Sequence, residues 1–202
     1  GHLALAPTMQ AWGDPEGARE EIRTARELAA RFDATQVDDL LVELLQVWLA
    51  VSTGDVEAGQ GWIAGRLPAM QGASPDDSGG WRSWLFERLI AAGVLNRLGH
   101  AEQALSLLEP LQSGAAQRGW NGIIIYLQVQ RALALQLMGH QERALAALQR
   151  ALSLGEPEGY VRAFVDEGPA MARLLHEAAA RGVAPLYIGR LLAAFPATQV
   201  PT

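Results

Sequence analysis

The chain has 202 residues, half of them apolar, with a formal net charge of −6 and no cysteine. That length and composition predict a folded chain with a substantial core, as one large domain or one repeat array, and exclude disulfides and thiolate metal sites. All sixteen basic residues are Arg, so a Walker A phosphate loop and Schiff-base chemistry, which need Lys, are excluded from these residues.

The scattered Arg and the negative net charge argue against direct nucleic-acid contact by this segment. The sequence holds neither a long uncharged apolar run nor a basic-then-apolar leader, so no membrane association is expected, and a cytoplasmic protein is. Gly1-His2 reads as a cloning scar, and the pattern starts and stops as a fragment would.

Taken in chain order, a turn followed by a helix recurs four times: "WGDPEGAREEI" from Trp12, "TGDVEAGQGWI" from Thr53, "LGHAEQALSLL" from Leu98 and "MGHQERALAAL" from Met138. The turn glycines Gly13, Gly54, Gly99 and Gly139 are spaced 41, 45 and 40 residues apart. Each follows an apolar-periodic helix, where a left-handed residue closes the last turn without a Cβ penalty. Asp14 and Asp55 suit the N-terminus of the next helix, and His100 and His140 take that place later.

Five positions after each glycine stands a small residue (Ala18, Gly59, Ala104, Ala144), and four further on an aliphatic one (Ile22, Ile63, Leu108, Leu148). That spacing puts both on one helical face, where the small residue admits a neighbouring helix and the aliphatic fills the next turn. "GIIIYLQV" reads either as a strand or as the buried start of a helix ending at Met138. The expected fold is all-α: an α-solenoid of antiparallel helix pairs, about four repeats over residues 1–155, with a C-terminal helical cap over 156–202.

The acid-rich stretch "EPEGYVRAFVDEGP", from Glu156 to Pro169, closes the array. Pro157 and Gly159 are expected to stop a helix near Leu154. "YVRAFV" forms a short amphipathic turn over the last repeat. Asp166 and Glu167 precede Pro169, which suits the first position of a new helix whose dipole favours the two carboxylates. Contact with another domain is the alternative role.

"MGHQERALAALQRAL" resembles the second half of a tetratricopeptide repeat. "LALQLMGHQERALAALQRALSLGEPEGYVRAFVDEGPAMARLL", with "RGVAPLYIGRLLAAF" after it, resembles the C-terminal part of the sensor region in LuxR-family, MalT-like ATP-dependent transcriptional activators. The resemblance implies a sensor or regulatory domain that binds a small-molecule inducer or a partner protein. It implies DNA binding through a C-terminal helix-turn-helix, ATP hydrolysis in an N-terminal module, and it leaves self-association open. Neither the ATPase loop nor the helix-turn-helix is among these residues, so no cofactor is expected and neither activity is assigned here. A stand-alone tetratricopeptide-like scaffold for protein–protein interaction is the alternative.

No catalytic constellation appears. "HEAAA" at His176 has Ala180 where a zinc protease needs its second His, and is expected to be a solvent-facing helix. "PDDSGGW", from Pro75, reads as a loop between repeats. The six Trp suit stacking on a ligand and equally the packing of a helical array. Aligned to the tetratricopeptide turn, the concave positions become Trp48, Val51 and Ser52, then Phe86, Asn96 and Arg97, then Tyr126, Val129 and Gln136. From these, Trp48, Phe86, Asn96, Arg97, Tyr126 and Gln136 are the candidate ligand- or partner-binding residues.

Overall fold

The computed structural model describes helical positions among residues 16–27, and then residues 36–70 and 81–196. The helices are α1 (Gln36–Ser52), α2 (Val56–Met70), α3 (Trp81–Arg97), α4 (Ala101–Gln117), α5 (Asn121–Leu137), α6 (Gln141–Glu158), α7 (Arg162–Val165), α8 (Pro169–Ala180) and α9 (Pro185–Ala193). No strand occurs among the described residues, so "GIIIYLQV" is the buried start of α5. The chain forms two compact units, residues 1–100 and 101–202. Within each, consecutive helices pack in adjacent antiparallel pairs, the tetratricopeptide-like arrangement expected.

One turn chemistry makes the helices antiparallel. After α1 the Gly54 N–H donates to the Val51 carbonyl (3.2 Å) and the Asp55 N–H to that of Ala50 (2.9 Å). The same pair of bonds, three and five residues back, closes the helices ahead of Gly99, Gly119, Gly139, Gly159 and Gly182. This is the Schellman motif, and it needs a left-handed residue at the glycine. The glycine φ values in these six turns run from +64° to +94°. Gly54, Gly99 and Gly139 thus do what the sequence pattern requires of them. Gly13 lies outside the described residues.

The spacing of the turns fixes the helix lengths. Between Gly99 and Gly159 the turn glycines recur every 20 residues, which leaves about 17 residues per helix and a three-residue turn. The expected stop near Leu154 is corrected: α6 runs on to Glu158 with Pro157 inside its last turn. A proline removes one backbone donor, whereas the left-handed Gly159 is what reverses the chain. The 155/156 boundary drawn from the sequence therefore falls inside α6.

The seam residues sit where their spacing puts them. Gly59, Ala104 and Ala144 are buried, as are Ile63, Leu108 and Leu148 one turn further on. Ala18, Ile22 and the turn at Trp12 lie outside the described residues. In the second unit α5 is the most enclosed helix, with Ile124, Ile125, Leu127, Val129 and residues 132–135 all buried. It packs against α4 and α6 and touches α7 and α8, which explains a helix with Arg131 as its one charged residue. Each fully buried Leu or Ile there contributes roughly 1.5–3 kcal/mol.

The acid-rich stretch forms the turn after α6, then α7 and the start of α8. Ala163, Phe164 and Val165 are buried on the last repeat. Phe164 meets the Tyr187 ring edge-on, with centroids 6.0 Å apart, and the Tyr187 hydroxyl donates to the Tyr160 carbonyl. Pro169 is the first residue of α8, as expected. No side chain caps α8 by a hydrogen bond. Glu167 instead accepts a bond from the Gln130 amide (2.6 Å), and Asp166 pairs with Arg162 (2.8 Å).

Candidate functional site

In the first unit the helices α1, α2 and α3 carry Trp on faces rich in Arg and Glu. Trp48 on α1 is half-buried, and the Arg97 guanidinium at the end of α3 lies 5.9 Å from its ring centroid. This distance is within cation–π range. Trp62 donates its indole N–H to Glu43 (2.7 Å), and Arg66 stands 6.0 Å from its ring while pairing with Glu43 and with Glu87 (3.0 Å). Arg88 is 3% exposed, 4.2 Å from the Trp84 ring, and donates to the carbonyls of Met70 and Trp84. Burial pulls the Arg88 guanidinium below its ordinary pKa, and the neighbouring Glu87 carboxylate opposes the shift.

Trp–Arg stacking is thus the recurrent device of this unit. A planar guanidinium suits this device, because it can lie over a ring while also bonding in its own plane. The described Trp are all half-buried, neither sealed in the core nor free on the surface. Trp62/Arg66 and Trp84/Arg88 are four residues apart and legible as one-turn pairs. Trp48 and Arg97 are joined only by the packing of α1 on α3.

Among the concave positions inferred from the tetratricopeptide alignment, the structure brings Trp48 and Arg97 together. Phe86 is half-buried near the start of α3 and Asn96 is buried near its end. Ten residues separate them, about 15 Å along the helix. Val51 and Val129 belong to the core, at 7% and 0% exposure, so placing them on an open face is corrected. Helices longer than those of the ordinary repeat shift the transferred register by a residue or two.

In the second unit, half-buried Tyr126 and Gln136 lie ten residues apart on α5. Tyr126 faces the acid-rich stretch. Burial pushes its phenol above the ordinary value, Asp166, Tyr160 and Glu167 add to the shift, and Arg162 opposes it. Gln130, 4% exposed and one turn on, ties the same face to Glu167. An added Cβ at Gly122 would stand 2.6 Å from the Tyr160 hydroxyl, so this glycine lets the cap lie against α5. Neither Gln130 nor Gly122 carries a local sequence signal for these roles.

His176 is exposed, and its Nδ1 lies 2.8 Å from the Ala172 carbonyl one turn back. Among the described residues no three His, Asp or Glu side chains come together as metal ligands. No helix among them is long and apolar enough to cross a membrane. Residues 75–80 of the "PDDSGGW" loop lie outside the described residues.

No curated protein matches the chain. The family model for the MalT-like TPR region matches residues 1–181, covering the helix pairs of both units, α7 and α8. With its Schellman-closed helix pairs and that match over most of its length, the chain belongs to the MalT-like TPR region family.

Proposed function

We propose that this chain is the sensor domain of a LuxR-family, MalT-like transcriptional activator, working in the cytoplasm and without catalysis of its own. The family membership carries this reading. By analogy with such activators, an inducer or partner protein bound here favours an arrangement in which an ATPase module self-associates and a helix-turn-helix engages DNA. The effector must therefore bind the active arrangement better than the resting one.

The residues proposed to meet the effector are Trp48, Phe86, Asn96 and Arg97 in the first unit, and Tyr126 and Gln136 in the second. The stacked Trp48–Arg97 pair is the observation that favours the first set. It offers an aromatic face beside a fixed cation, suited to stacking and to accepting polar groups together. A thermal-shift screen of sugars, phenolics and short peptides tests the proposal, because binding to the native state raises its midpoint. A compound that stabilises the wild type should lose its effect in W48A or Y126A. An effect that persists in both, with the fold intact, rejects these faces.

A further inference from the structure

A cleft of about 230 Å³ opens in the second unit between α4, α5 and α6. On α4 it is lined by Leu105, Leu108, Glu109 and Gln112, one helical face; α5 adds Leu127, Gln128 and Arg131, and α6 adds Arg143. By helical periodicity this is the side of α5 away from Tyr126 and Gln130. It is therefore independent of the effector faces proposed above and does not rest on them.

Two side chains in this cleft are not accounted for by the fold. Gln128 is 3% exposed and lines the cleft, and no hydrogen bond within the described residues holds its amide. Arg143 is exposed at the rim and makes no ion pair among the described residues. Arg131 is held by Gln112 Oε1 (2.8 Å), which fixes one face of its guanidinium and leaves further donors toward the cleft. Two guanidinium groups and the Gln128 amide thus gather on a space whose remaining wall is Leu105, Leu108, Leu127, Glu109 and Gln112.

We propose that this cleft binds a small organic monocarboxylate with a branched apolar body. Arg143 and Arg131 supply charge-assisted donors to the carboxylate, Gln128 donates its amide N–H, and the three leucines cover the hydrocarbon. Against two arginines the lining sets one acid, Glu109, so one negative charge on the ligand restores neutrality. A phosphate dianion would exceed that balance, and a cation would meet the arginines. The volume lies below the about 300 Å³ at which clefts for drug-sized ligands begin, which selects a short chain.

The experiment is calorimetric titration of the chain with 4-methylpentanoate, against 4-methylpentanamide and inorganic phosphate, in wild type, R143Q and Q128M. Arg143 is exposed, and Gln128→Met keeps the volume at a position without a hydrogen-bond partner in the fold, so both variants retain the fold. The acid should bind saturably while the amide and phosphate do not, and each substitution should weaken it at least about tenfold. No binding of the acid up to about 10 mM, where even a millimolar complex would be close to saturation, overturns the proposal. So does binding that both variants leave unchanged, or equal binding of acid and amide.

Discussion

Gly59 on α2 packs directly on Val51 of α1: a Cβ at position 59 would stand 2.4 Å from Val51 Cγ2. Val51 is 7% exposed and a β-branched side chain cannot swing its methyl aside. Gly59→Ala should therefore destabilise the first unit by about 1–2 kcal/mol, an overpacking cost partly offset by the better helix propensity of Ala. In a Val51→Ala background the same substitution should be neutral or stabilising, giving a coupling of about 1–2 kcal/mol. Urea unfolding followed by Trp fluorescence measures this, since five of the six Trp lie in residues 1–100. Additive effects would mean the contact is not a constraint.

The turn glycines make a different prediction, because nothing stands within 4 Å of an added Cβ at Gly139. Its φ of +76° is the only obstacle. Gly139→Ala should cost about 1–2 kcal/mol, and Gly139→Asn distinctly less, because Asn tolerates the left-handed region. Equal costs for the two variants, read by circular dichroism during urea unfolding, would show that backbone conformation is not what the glycine supplies.

Much of this was legible in the sequence, and the residues show why. Gly54, Gly99 and Gly139 mark their turns because no other residue meets the positive φ as cheaply, and the small-then-aliphatic seam follows from helical periodicity. Gly119 carries the same signal at the 20-residue spacing, marking the turn inside a two-helix repeat rather than between repeats. Pro157 misled because a helix tolerates proline in its last turn when a glycine follows to reverse the chain. Asp166 has a local partner, Arg162 one turn back, whereas the partner of Glu167, Gln130, is reached only through tertiary packing. The Trp48–Arg97 pair spans 49 residues of chain and leaves no local signature, unlike Trp62/Arg66 and Trp84/Arg88.

Alkaline pH should act through Tyr187. Its ring is 1% exposed, and burial pushes its phenol up to about 12 from an ordinary 10.0, with Arg190 opposing and Glu156 adding. The folded state therefore prefers the neutral phenol more than the unfolded chain does. That contribution is whole below about pH 10 and is lost as pH rises towards 12. Tyr187→Phe should be less stable at pH 8 by about 1 kcal/mol, having lost the bond to the Tyr160 carbonyl. It should also lose less between pH 10 and 12, with Tyr126 supplying a remaining slope of the same sign. Parallel curves for the two proteins would remove Tyr187 from the account.

The central claim is that this family member is a sensor whose Trp48–Arg97 pair meets the effector. The most direct measurement is a promoter reporter driven by the intact encoded protein, in cells supplied with a compound that stabilises the wild-type chain. Wild type should respond to the compound, and W48A should leave the output unresponsive at an unchanged protein level. An effector response in W48A equal to that of the wild type would contradict the claim.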